Sequence, residues 1–514
     1  MSLAASIGRN TVFGVLSSFT QVATRLVTVP IVIHHLGLDG YGIWNIIMVT
    51  AAYMRFGTVG VKNAFQKYVA EATGNENYER VNKLLSTGFV VMLILSVAGL
   101  IPVAHFSNAI ARAAGIPPNF LSSAAGAISL LAWMMVLSNV GATFEAIVMG
   151  GHRIDLVRKF NTALTMAEAV AIVVVLHFGE GLLAMAAVMG ISELLFVIAC
   201  YFAAKHVVPE IRLSTSSVTT SVLYELLRFA GSYQLISLLD ILYASIMPFV
   251  MLRFFGASSA GLYAIVTRVV TSGAVLQEAF LLPILSGGTM VYASGSVERM
   301  RTLLSKAFKV TTALSIFPLG FIAVFGTTIA LAWTGETDSS LRGAFLLVCL
   351  SALFRAYSLL SFVLYRVSGR AILDNLRQVL RILVLSSIVV FAPRLGFEGV
   401  LAGLALAELS GMAFMLFALA RTFKVFRVQS LLPDALRILT AAVSILGAGI
   451  LAYYIPIPDR YGLQVASTLK LLQVSVACLL VAWPILVRTG SLNAEEGRAL
   501  LGAFLHRRSS STPV

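Results

Sequence analysis

Apolar residues in this chain come in one long run after another, separated by short polar connections. A helix rises 1.5 Å per residue, so about 20 apolar residues cross about 30 Å of hydrocarbon. Residues 84–103, 160–178, 379–392, 400–419 and 465–487 are runs of this kind. The pattern predicts about 14 membrane-spanning helices. They lie near 10–34, 41–70, 81–104, 118–149, 157–178, 182–204, 226–254, 259–291, 299–325, 340–367, 371–393, 397–421, 434–455 and 463–487. The fold class that follows is an all-α polytopic membrane protein.

Charge sets the topology. Of the 37 Lys and Arg residues, 26 fall in loops and helix ends on the side of the N-terminus. Five, Arg112, Arg253, Arg342, Arg394 and Arg460, fall on the other side. Cytoplasmic loops carry the excess of Lys and Arg, so both termini are expected in the cytoplasm, with an even number of spans. The remaining six, Arg25, Arg55, Lys62, Arg268, Arg355 and Lys470, lie within apolar segments.

A Ser/Thr-rich stretch after the sixth span, including Ser214–Ser217 and Thr219–Ser221, reads as a linker. The expected organisation is an N-terminal six-helix lobe at 1–205, a cytoplasmic linker at 206–223 and a C-terminal six-helix lobe at 224–424. Two additional helices follow at 425–488, then a cytoplasmic tail at 489–514. The first span of each half ends in a similar way. Pro30 leads to Gly37 and then Gly42; Pro248 leads to Gly256 and then Gly261, with the same glycine-to-glycine interval. Both halves start from the same side, which makes them parallel repeats about a pseudo-two-fold axis along the membrane normal. In the tail, Asn493 with Glu496 and the apolar set Leu500, Leu501, Phe504 and Leu505 read either as an interfacial helix or as a frayed end.

Composition removes several function classes. The chain is 58% hydrophobic and 12% charged with a mean hydropathy of +0.91, whereas soluble domains carry about 25% charged residues. No loop is long enough for a globular catalytic head, so no enzyme activity is expected. The net charge of +14 is spent on topology rather than on nucleic acid. The three cysteines, Cys200, Cys349 and Cys478, sit in apolar runs without metal-ligand spacing. There is no phosphate-binding G-x-x-x-x-G-K-[ST] loop and no H-E-x-x-H, so neither a cofactor nor a metal is expected. The first apolar run is too long for a cleavable signal peptide.

Candidate chemistry lies in ionisable groups at membrane depth, which are costly unless paired or wet. Arg25, Arg55, Lys62, Arg268 and Arg355 are the cations. Guanidinium groups facing a wet cavity would grip phosphate oxygens in bidentate fashion and favour an anionic cargo. Glu168, Asp240 and Glu408 read either as charge partners of these cations, for example Glu168 of Arg25, or as sites for a coupling ion. Glu145, Glu193 and Glu278 lie off-centre and read as packing partners. His34 and His35 end the first span and read as interface residues.

Residues 28–44, with Pro30, Leu36-Gly37, Gly40-Tyr41-Gly42 and Trp44, resemble the polysaccharide-exporter flippases, relatives of the lipid II flippases and of the multidrug-and-toxin extrusion transporters. Phe56-Gly57-x-x-Gly60 and Val69-Ala70-Glu71-Ala72 fit the same pattern. The resemblance implies alternating-access transport of a polyprenyl-diphosphate-linked oligosaccharide across a bacterial cytoplasmic membrane for surface polysaccharide synthesis. It also implies membrane lipids, H⁺ or Na⁺ as coupling ion and a polysaccharide polymerase as partners. Many relatives carry Asp where this chain has Arg55, which adds positive charge and removes support for an ion site there. On this reading Arg25, Arg55 and Arg268 hold the diphosphate, with Arg355 and Lys62 in support. Two rivals remain: a multidrug or cation antiporter of the same superfamily, which predicts an acidic, aromatic-lined cavity, and a membrane-embedded glycosyltransferase or polymerase, which needs a longer outer loop than 106–117 or 326–339.

Overall fold

The computed structural model describes residues 3–54, 56–151, 153–293, 296–367, 372–422, 432–457 and 462–489. Arg55 and the tail beyond Thr489 lie outside the described residues. Among the described residues the chain is almost entirely helical, with no strand. The helices are α1 (Leu3–Met54), α2 (Phe56–Gly74), α3 (Tyr78–His105), α4 (Ser107–Ala113), α5 (Pro118–Gly150), α6 (Ile154–His177), α7 (Leu182–Val207), α8 (Thr220–Val250), α9 (Gly256–Ala293), α10 (Val297–Thr334), α11 (Leu341–Val367), α12 (Ile372–Val389), α13 (Ala392–Thr422), α14 (Leu432–Tyr453) and α15 (Leu463–Arg488). Eleven stretches among them are long and apolar enough to cross a membrane. The chain is a multi-pass helical membrane protein.

Two predicted spans meet inside α1. The helix breaks at Gly37, whose backbone (φ 70°, ψ 174°) is closed to residues with a side chain. The same device recurs. Six described glycines have positive φ: Gly37, Gly115, Gly179, Gly256, Gly335 and Gly396. Each lies in the connection between two consecutive spans read from the sequence. Gly37 and Gly256 are 219 residues apart, Gly115 and Gly335 are 220, and Gly179 and Gly396 are 217. Three hairpin positions in the first half therefore return in the second at nearly one offset. An offset of 219 also carries Asp155, buried in the first turn of α6, onto Asp374, buried in the first turn of α12. A carboxylate there complements the positive end of the helix dipole.

The chain divides into two compact units. The first comprises residues 1–264 with 390–397, and the second comprises 265–389 with 398–514. In the first unit α5 packs on α7 and α3, α1 on α6, and α2 on α8. Its buried core includes Phe65, Leu84, Leu85, Ile147, Cys200 and Leu226. The repeated hairpins meet in this unit. A Cβ on Gly42 would overlap the backbone of Ala257 and Gly261, and one on Gly261 would overlap Leu38. Asp39 accepts a hydrogen bond from the Ser258 hydroxyl, its partner at the 219-residue offset. Equivalent residues touching one another is what a two-fold axis through this seam produces.

The Ser/Thr-rich connection between α7 and α8 is fastened to α3 rather than loose. The Arg212 amide donates to Asn82 Oδ1 (2.7 Å), the Ser214 amide to Ser86 Oγ (3.1 Å) and the Thr219 amide to Thr87 Oγ1 (3.1 Å). In the second unit α10 packs on α11, α14 and α15, and α14 packs on α15. Lys470, which the sequence places inside an apolar run, reaches the end of α14. Its ammonium donates to the Tyr453 and Ile455 carbonyls (2.6 and 3.2 Å) and lies over the Tyr453 ring. It is a helix cap, not a cavity cation.

Candidate functional site

The depth of each charged residue follows from counting along its own helix from the nearest repeated glycine at 1.5 Å per residue. Arg25 on α1 stands 12 residues before Gly37 and Arg268 on α9 stands 12 residues after Gly256, each about 18 Å into the membrane. Arg355 is 14 residues into α11, about 21 Å. In a hydrocarbon core of about 30 Å these depths are central. Arg25 and Arg355 are exposed and Arg268 is half-buried. A guanidinium left in hydrocarbon costs at least about 2.5–3.5 kcal/mol. These groups therefore require water, a charge partner or both.

The acids separate. Glu168 on α6 is half-buried, 11 residues before Gly179, at about 16 Å. It lies on the helix that packs against the one bearing Arg25. Asp240 on α8 is exposed. Arg25, Glu168, Asp240 and Arg355 all have partners within the chain. Lys62 belongs to α2. The structure brings Arg25, Lys62, Glu168 and Asp240 into the first unit and Arg268, Arg355 and Glu408 into the second. Glu193 accepts a hydrogen bond from Ser138 (2.9 Å), a packing contact between α5 and α7.

Glu408 belongs to a cluster that sequence reading missed. It is buried on α13 and pairs with Arg381 of α12, both side chains being 4% exposed. Arg381 Nη1 also donates to Gln378 Oε1 (2.5 Å). One turn away, Arg377 pairs with Asp374 (Nη2 to Oδ1 2.8 Å), and both are buried. Arg377 and Arg381 look like members of the positively charged loop set; instead they are interior to the second unit. The sign was present in the spacing. Asp374, Arg377, Gln378 and Arg381 fall at i, i+3, i+4 and i+7, a single polar face on an otherwise apolar helix. These three charges are also why α12 is missing from the eleven apolar stretches. The cluster is electrically balanced, two guanidinium groups against two carboxylates, so it has little charge left to offer an anion. Arg377 Nη1 and Glu408 Oε2 make no hydrogen bond among the described residues.

With this geometry in view, residues 15–162 match the MatE family model, less than a third of the chain. No curated protein matches the chain in sequence. Solved structures match its fold. A multidrug resistance MATE family transporter of the MOP superfamily, in an inward-facing conformation, superposes with a TM-score of 0.67 at 15% identity, over 82% of this chain and 98% of that one. The lipid II flippase MurJ, in an inward closed conformation, superposes with a TM-score of 0.69 at 13% identity, over 93% and 99%. A MOP superfamily transporter from Pyrococcus furiosus, described by a reversed polarity of its binding pocket, gives 0.59 at 15% identity over 82% and 96%. The chain thus shares its fold with these solved structures.

Proposed function

We propose that the protein is a flippase that carries a polyprenyl-diphosphate-linked oligosaccharide across the bacterial cytoplasmic membrane by alternating access, both termini being cytoplasmic. The observation that carries this reading is the set of arginines within apolar spans, Arg25, Arg268 and Arg355, each about 18–21 Å along its own helix. Their charge and forked donors suit a diphosphate and repel an organic cation. Arg55 and Lys62 extend the same set in sequence. The sugar travels through water while the polyprenyl chain stays in lipid. Glu168 and Asp240 act as charge partners or as the seat of a coupling ion; Glu408 is committed to Arg381.

The extra reach of the MurJ superposition supports a lipid cargo. It covers 93% of the chain against 82% for the MATE transporter. The difference is about 57 residues of this chain. The MatE match over 15–162 favours a second reading, extrusion of small cations. One reconstitution separates them. Vesicles holding the purified protein are loaded with a fluorescent polyprenyl-diphosphate oligosaccharide, and its arrival in the outer leaflet is measured beside efflux of an organic cation. The flippase reading expects lipid transfer, lost by more than about tenfold in Arg25→Ala with Arg268→Ala, and no cation efflux. Cation efflux that survives the double substitution overturns it.

A further inference from the structure

The second unit holds a cleft of about 210 Å³ among α10, α11, α13 and α14. Its floor is apolar: Phe308 and Tyr357 stack with ring centroids 6.1 Å apart, Tyr357 and Thr312 share a hydrogen bond (2.9 Å), and Leu416 lines one side. Two charged residues also line it, Lys309 from α10 and Asp434 from the first turn of α14. A volume of 210 Å³ would hold about seven waters at about 30 Å³ each, and each would want two or more polar partners. The Tyr357 and Thr312 hydroxyls already satisfy one another. An apolar occupant therefore fits the floor, while the two charges call for a polar head.

The cleft straddles the edge of the hydrocarbon. Counting about 20 residues back from Thr334, the far end of α10, puts the boundary near residue 314. Lys309 then lies in the headgroup zone. The same count along α13 from Gly396 reaches Leu416, and along α11 from Leu341 it passes Tyr357. Tyr357 is thus at acyl depth, Leu416 at the boundary, and Phe308 and Lys309 together at headgroup depth. Asp434 lies 3.6 Å from Arg437, a loose pair that leaves the half-buried carboxylate able to accept another donor. Lys309 has a partner within the chain, and its ammonium, with three donors, can share a phosphate as well.

From this arrangement we infer that the cleft is a binding site for a phospholipid whose head carries both a phosphate and a primary ammonium, phosphatidylethanolamine in a bacterial leaflet. One acyl chain lies over Tyr357 and Leu416. The phosphate meets Lys309, and the lipid ammonium donates to Asp434. The site is separate from the arginines assigned to cargo and stands whether or not the cargo reading is right.

Binding to the delipidated full-length protein is measured by native mass spectrometry, titrating palmitoyl-oleoyl phosphatidylethanolamine, phosphatidylcholine and phosphatidylglycerol separately. The wild type should hold phosphatidylethanolamine about tenfold more tightly than phosphatidylcholine, whose quaternary nitrogen donates no hydrogen bond. Asp434→Asn should erase that preference and leave phosphatidylcholine unchanged. Lys309→Gln should weaken both, and Lys309→Arg should retain both. Ala435→Phe, which fills the cleft, should lose all three lipids while eluting as the wild type does. Equal affinity for phosphatidylethanolamine and phosphatidylcholine in the wild type overturns the inference. So does a preference that survives Asp434→Asn, or phosphatidylglycerol binding tightest of the three.

Discussion

Removing Glu408 should expose how much the buried charges of the second unit support one another. Glu408 and Arg381 are in direct contact, each with only 4% of its side chain exposed. At about 4 Å and an effective dielectric near 20, opposite charges attract by about 4 kcal/mol. Truncating one partner of such a pair costs about 3–5 kcal/mol, because the other charge is left buried without compensation. Glu408→Ala should therefore fall in that range. Glu408→Gln keeps an acceptor for the guanidinium and should cost less, about 1–3 kcal/mol. Replacing both residues, Arg381→Leu with Glu408→Leu, removes the charge and the need for its partner. That double variant should approach or exceed the wild type. Asp374, Arg377 and Gln378 remain in all three variants, so differences among them report the one pair. The measurement is denaturant unfolding of purified protein in one detergent, read as midpoints and slopes. A Glu408→Ala variant within about 0.5 kcal/mol of wild type, or a double variant no better than the single, would refute the reasoning.

Three further outcomes follow from the geometry. Gly42→Ala and Gly261→Ala each push a methyl group into backbone across the repeated hairpins; a loss of about 1–3 kcal/mol is expected, and wild-type unfolding midpoints in both would contradict the close approach. Asp39→Cys with Ser258→Cys should cross-link on oxidation, since the native side chains are hydrogen-bonded. If this seam must part during transport, the oxidised protein stops and a reductant restores it; undiminished transport in fully cross-linked protein counts against that. Burial first, and Asp338 second, push the Glu336 carboxyl above its ordinary range. A raised folded pKa favours the protonated fold, so stability falls as pH rises through that value. Glu336→Gln should gain no more than about 0.5 kcal/mol at pH 7 and nothing at pH 3; a gain that is unchanged across this range would dismiss the burial argument.

Much of this architecture is legible in the residue string. Hydrocarbon thickness fixes span length, so long apolar runs announce helices, and the echo between Gly37 and Gly256 pointed to two related halves. Four of the six repeated glycines were overlooked because a single glycine in a short connection is common. Only backbone angles show that Gly115, Gly179, Gly335 and Gly396 share the left-handed region of φ with the first two. The candidate cations Arg25, Arg55, Lys62, Arg268 and Arg355 are legible as charges within apolar runs, and Lys470 also lies in such a run. Its role as a cap depended on where α14 happens to stop.

Hydrophobicity by itself thus determined the class of protein, its helices and the residues that must be either wet or paired. Which of those two fates each residue met was decided by tertiary packing. Arg25 and Glu408 read alike as intramembrane charges. Yet Arg25 is exposed at the surface of its helix while Glu408 is sealed against Arg381. A sequence records that a charge has entered an apolar helix. The energy of leaving it there depends on the dielectric and the partner around it, and neither exists until a neighbouring helix has docked.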